Sequence, residues 1–197
     1  MSFSSTLAST ILLVLLFFSS ASSRPISTNT EFIRHSCVTT TYPTLCITSL
    51  STHATAIQTS PKLLAHAALS VTLTSARTTS AAMSALLLNH KGLRPREVAA
   101  MRDCVETMGD SVDELRRSIG EMGHLLTSNI AMQMSDIQTW VSAALTEEDT
   151  CMDGFAEEGL GGTLKSVVRG RIVNVAHLTS NALALVNHLA SLQHVFP

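Results

Sequence analysis

After Pro95, eight apolar residues (Val98, Met101, Val105, Met108, Val112, Leu115, Ile119 and Met122) recur with spacings 3, 4, 3, 4, 3, 4 and 3. At 3.6 residues per turn this series stays on one side of an α-helix for about seven turns. A seam of that length has to be buried against other helices, so it commits the chain to helix-on-helix packing. Pro95 suits a first helical turn, and Gly120 with Gly123 predicts a fraying end and a stop.

Three neighbouring segments carry stripes of the same kind. Pro61 to about Asn89 presents Leu64, Ala68, Val71, Met83, Leu86 and Leu87, with four threonines lowering intrinsic helix propensity. Met134 to Leu145, followed by Glu147 to about Glu158, reads as a third helical region in two pieces. Leu164 to Leu192 places Leu164, Val168, Ile172, Val175, Leu178, Leu185 and Leu189 on one face, set off from the third region by Gly159, Gly161 and Gly162. Four antiparallel helices with short loops are the simplest arrangement that buries four stripes. The five prolines, at 25, 43, 61, 95 and 197, fall at boundaries or ends. Scarce aromatics and abundant Ala, Leu, Ser, Thr and Met complete an all-α reading. Thr30 to Thr59 is shorter in period; Thr41, Tyr42 and Pro43 form a turn with Pro43 opening a helix, and two or three short helices are expected beside the bundle.

Residues 1–23 contain no charged side chain, and Leu7 to Phe18 is almost wholly apolar before Ser19, Ser20, Ala21, Ser22 and Ser23. That is the pattern of a secretory signal peptide, its apolar core too short for the roughly 20 residues of a membrane span. The expected organisation is therefore a signal peptide over 1–23 and one domain over 24–197, divided into a short-helix extension (24–60) and a bundle (61–197). No membrane association is expected after cleavage. All four cysteines, Cys37, Cys46, Cys104 and Cys151, lie in the mature part, and an even count in a secreted chain favours two disulfides. Three pairings are open. A bridge from Cys104 to Cys151 would staple two bundle helices across a long loop. Structural zinc is disfavoured, because separations of 9, 58 and 47 lack close ligand pairs.

Charge is uneven. From Asp103 to Glu158 there are 13 Asp or Glu against Arg116 and Arg117, while Arg24 to Arg102 holds eight Lys or Arg against Glu31 and Glu97. An acidic middle argues against nucleic acid and suits a basic partner or a solvated face. His177, His188 and His194 lack a carboxylate at ligand spacing, and no Gly-x-Ser-x-Gly occurs, so neither a metal or other cofactor nor a catalytic triad is expected. Trp140 precedes small residues that let helices approach and is read as a packing anchor.

Three cysteine-anchored motifs occur in order: two cysteines with eight residues between them, Tyr42-Pro43 among these, then DCVETMGDSVDELRRS from Asp103 to Ser118, and WVSAALTEEDTCMDGF from Trp140 to Phe155. In combination they resemble the plant invertase and pectin methylesterase inhibitor family, over nearly all of the mature chain. The resemblance implies an up-down-up-down four-helix bundle preceded by a helical hairpin, with Cys37 joined to Cys46 and Cys104 to Cys151. It also implies a protein that is not an enzyme, and that binds a plant cell-wall carbohydrate enzyme one to one over the substrate cleft.

Invertase inhibitors of that family carry Pro-Lys-Phe between the second and third bundle helices. Here that connection reads EMGHLLTSNIAMQMSD, Glu121 to Asp136, without it. The resemblance therefore points to pectin methylesterase as target and to the apoplast as compartment, with an acid invertase as the alternative. A further alternative is the helical pro-region of some methylesterases, a reading disfavoured by the absence of a catalytic domain before Pro197. The family's enzyme-facing polar positions fall on Glu106, Asp110 and Asp113 after the third cysteine and on Thr150 and Asp153 around the fourth. Independently, Asp103, Glu106, Asp110 and Asp113 step by 3, 4 and 3, so their side chains share an arc of about 80°.

Overall fold

The structure, a computed structural model, describes residues 24–89, 91–156 and 162–193. The expected signal peptide, Gly159, Gly161, the Glu157–Glu158 end of the third region and His194 lie outside the described residues. Among the described residues the helices are α1 (Arg24–Cys37), α2 (Pro43–Leu50), α3 (Ala54–Ile57), α4 (Pro61–Leu88), α5 (Pro95–Gly123), α6 (Ile130–Gly154) and α7 (Thr163–Gln193), with a 3₁₀ turn at Ser51–His53. Among the described residues there is no strand.

Helices α4 to α7 run up, down, up and down. Each packs on two neighbours: α4 on α5 and α7, and α6 on α5 and α7. The α4–α7 side therefore lies opposite the α5–α6 side. The starts of α4 and α5 are chemically marked. Pro61 and Pro95 occupy first turns, Ser60 Oγ accepts from the Leu63 amide, and the Arg94 amide donates to the Glu97 carboxylate at 2.8 Å. Before α5 and α7 the chain turns at Gly92 and Gly162, with φ of +89° and +88°, a region that side-chain-bearing residues rarely enter.

The third region is one continuous helix, not two pieces. It starts at Ile130, passes through Thr146 unbroken and ends at Gly154, because the Thr146 hydroxyl folds back onto the Ser142 carbonyl and leaves the backbone ladder intact. At the other end, α1 already includes residues 24–29, ahead of the segment in which short helices are expected.

The seam of α5 follows the one read in the sequence at Met101, Met108, Val112, Leu115 and Met122, which are buried, but Cys104, Ser111 and Ser118 join it in place of the remaining positions. Val105 and Ile119 are half-buried at its flank, as is Val98. Trp140 is likewise half-buried at the edge of the α6 stripe rather than in the core, because the 3.6-residue period places Ile137, Val141 and Ala144 at its centre.

The extension docks on the α4–α7 side and contributes Ile33, Leu50 and Ile57 to the same core. Its corner, bracketed by the Cys37–Cys46 disulfide, is latched to α7. The Tyr42 amide donates to Asn181 Oδ1 at 2.9 Å, Asn181 Nδ2 donates to the Tyr42 carbonyl at 3.0 Å, and the Tyr42 ring stacks on His177 at 3.6 Å.

Candidate functional site

Cys104 on α5 is bonded to Cys151 on α6, with Cα atoms 4.5 Å apart. This bridge sets the register of the two acidic helices. It places Asp103 and Glu106 at the level of Thr150 and Asp153, and all four are exposed. Asp110 and Asp113 are also exposed, roughly 9 and 13 Å further along α5 at 1.5 Å per residue. The sequence-read positions therefore form one outward surface, but not one cluster. Glu106, Thr150 and Asp153 flank the disulfide, whereas Asp110 and Asp113 extend toward the α5–α6 connection.

The members differ in how free they are. Arg116, one turn on, already pairs with Asp113. Arg117 follows Asp113 at the next position of the stripe, where the negative run on α5 ends. The Thr150 hydroxyl donates to the Thr146 carbonyl at 2.8 Å, which leaves its oxygen as an acceptor. Glu106, Asp110 and Asp153 are engaged in no ion pair among the described residues. Partial burial between the helices raises the carboxyl pKa of Glu114, and Glu147 and Asp110 raise it further, with Arg117 opposing. The face thus has an exposed outer row and, in Glu114, a partly buried carboxylate behind it whose charged form is disfavoured.

Sequence reasoning missed two residues beneath this face. Glu148 is fully buried; Ser111 Oγ donates to its Oε1 at 2.8 Å, and Thr179 Oγ1 lies 2.9 Å from the same oxygen. Burial raises its pKa to about 7, with Asp149 and Glu114 adding to the shift against the two hydroxyls. Gln133 organises the α5–α6 connection. The Leu126 amide donates to its Oε1 at 2.7 Å, and its Nε2 donates to Glu121 Oε1 at 2.7 Å and to the His124 carbonyl at 3.1 Å. The only sequence signal for either was a polar residue at a stripe position.

Among the described residues, no group of three or more His, Cys, Asp or Glu could hold a metal ion, and no helix is long and apolar enough to cross a membrane. What the face offers is a rigid, disulfide-registered acidic surface suited to protein recognition.

The chain is thus a small, disulfide-stapled four-helix-bundle protein with a hairpin extension. The profile described as plant invertase/pectin methylesterase inhibitor matches residues 31–185, and the chain belongs to that family, whose members are inhibitors and not enzymes. It is 48% identical to a 21 kDa protein of Daucus carota over 95% of both chains, and 42% identical to pectinesterase inhibitor 9 of Arabidopsis thaliana over the full length of both. Among solved structures, a mutant form of a pectin methylesterase inhibitor from Arabidopsis superposes with a TM-score of 0.61 at 25% identity, covering 77% of this chain and 92% of that one.

Proposed function

We propose that this protein is a secreted inhibitor of pectin methylesterase that forms a reversible one-to-one complex, covers the substrate cleft and so restrains pectin de-esterification in the plant cell wall. On this reading residues 1–23 are removed as a signal peptide and the mature protein acts in the apoplast. The observation that carries it is the exposed acidic row of Glu106, Asp110 and Asp153, held in register by the Cys104–Cys151 bridge in a chain 42% identical to a pectinesterase inhibitor. A face already ordered by a covalent link loses little conformational freedom on docking. Unpaired surface carboxylates speed encounter with a cationic partner more than they deepen affinity.

Titration of the mature protein against a plant pectin methylesterase and an acid invertase in parallel tests the target. Inhibition of the methylesterase is expected; inhibition of invertase alone reverses the assignment. Asp110→Arg and Asp113→Arg test the face. The association rate should fall and its salt dependence flatten, and unchanged values in both variants would remove α5 from the interface.

A further inference from the structure

The side of the bundle away from the acidic helices has the opposite charge. Helices α4 and α7 carry Lys62, Arg77, Lys165, Arg169 and Arg171 and not one Asp or Glu. Between them runs a groove of about 450 Å³ lined by Thr74, Ser75, Thr78, Gly170, Arg171 and Asn174. A second hollow of about 260 Å³ continues it past Ser70 to His53 of the docked extension, the two sharing Val71 and Thr74. From Ser70 to Thr79 the track follows α4 for about 13 Å, room for a few linked sugar rings.

The hydroxyls of this groove are turned inward. Ser70 Oγ donates to the His66 carbonyl at 2.8 Å, Thr74 Oγ1 to the Ser70 carbonyl at 2.9 Å, and Thr78 Oγ1 to the Thr74 carbonyl at 2.8 Å. Ser75 Oγ accepts from Asn174 Nδ2 at 3.4 Å. With the threonine protons committed to the helix, what faces outward is a row of lone pairs, which recognise hydroxyl donors. The groove's cation, Arg171, is exposed and pairs with no carboxylate among the described residues. Gly170 beside it leaves open space for a ligand's approach.

We propose that the α4–α7 groove is a second binding site, for a short stretch of de-esterified polyuronate. Such a polymer carries both complements: ring hydroxyls to donate to the threonine oxygens, and carboxylates to accept from the Arg171 fork. A polyphosphate meets the arginine equally well but brings mainly acceptors to a row of acceptors. Choosing a uronate among acidic polysaccharides rests on the methylesterase reading above, since de-esterified pectin is that enzyme's product. The inhibitor would then be held by one face at the material its target has already processed, with the acidic face free.

The test is binding of a de-esterified oligogalacturonide to the purified protein by titration calorimetry at low ionic strength without divalent cations. Comparators are the fully methyl-esterified oligomer and dextran sulfate. The esterified oligomer should bind on the order of tenfold more weakly, and Arg171→Ala should lose a similar factor, as expected for one charge-assisted hydrogen bond. The Thr74→Val/Thr78→Val pair should weaken the oligogalacturonide and leave dextran sulfate unchanged. Amide shift perturbations in the unmutated protein should fall on α4 and α7, which keeps the question answerable if a variant folds poorly. No binding, equal binding of the esterified oligomer, or the same threonine sensitivity toward dextran sulfate overturns the site. Arg171→Ala should inhibit methylesterase as the wild type does. A protein that binds the oligomer but inhibits no methylesterase sinks the inhibitor reading alone, and one that inhibits without binding sinks this site alone.

Discussion

Ser111 on α5 and Glu148 on α6 share a 2.8 Å hydrogen bond in the fully buried centre of the bundle, and no cation accompanies it among the described residues. The second carboxylate oxygen has no hydrogen-bond partner. The Thr179 hydroxyl is 3.0 Å from the Val175 carbonyl, so its one proton can stay there while a protonated Glu148 donates to it. The site is built for the neutral acid, and burial raises its pKa from the ordinary 4.5 to about 7.

A raised folded-state pKa means that the folded protein holds a proton which the unfolded chain releases between pH 4.5 and about 7. This contribution is fully present below 4.5 and is lost as pH rises through about 7, a difference of about 3 kcal/mol. Glu148→Gln imitates the protonated form. Thermal melts should show wild type losing stability between pH 5 and 8 while the variant loses much less, so that the variant is the more stable at pH 8. Parallel curves for the two proteins would show that Glu148 does not carry the dependence.

The helices and their order were legible because long apolar stripes are redundant: losing one position of eight leaves the period intact. The full packing row of α5 was not. Val105 and Ile119 compete with Cys104 and Ser118 for the second row, while Val112 is buried beside Ser111, and hydropathy favours the valine and isoleucine. The cysteine and serines win because each polar group is satisfied where it lies: Cys104 by its bridge, Ser111 by Glu148 and Ser118 by the Glu114 carbonyl. The exposed acidic row on α5 was legible from spacing alone, but the pairing of Asp113 with Arg116 was not, since it depends on which rotamer meets which neighbour. The α4–α7 groove was invisible for a further reason: it joins residues about 100 positions apart that share no motif.

Gln133 closes the α5–α6 connection by serving the Leu126 amide, the His124 carbonyl and Glu121 at once, and it is 7% exposed. Gln133→Ala removes the acceptor of the Leu126 amide and should cost about 1 kcal/mol, the net worth of an ordinary hydrogen bond. Hydrogen exchange should accelerate at Leu126 and its neighbours, with the α5–α6 midsection unaffected. Exchange at Leu126 as slow as in wild type would mean that the turn holds without the side chain.

Asn181 holds the extension on α7 through reciprocal bonds to the Tyr42 backbone and is 3% exposed. Asn181→Ala removes both bonds and should cost about 2 kcal/mol. The Tyr42 amide should exchange faster, and the Tyr42–His177 stack should loosen. Asn181→Asp keeps an acceptor for the Tyr42 amide but sets a buried carboxylate oxygen against the Tyr42 carbonyl, so at neutral pH it should be at least as destabilising as Asn181→Ala. An Asn181→Ala variant as stable as wild type, with unchanged exchange at the Tyr42 amide, would show that the latch does not hold the corner.

The two disulfides close loops of very different length, with sequence separations of 9 and 47. In the chain-entropy account, opening Cys104–Cys151 removes about 4 kcal/mol and opening Cys37–Cys46 about 2.7. Only the longer bridge lies within the acidic face, where it fixes Thr150 and Asp153 against Asp103 and Glu106. Cys104→Ala/Cys151→Ala should therefore lower the melting temperature more than Cys37→Ala/Cys46→Ala. At temperatures where both variants are folded, it alone should also weaken methylesterase inhibition, chiefly through faster dissociation. Equal inhibition by the two folded variants would separate the bridge's stabilising role from any part in ordering the binding face.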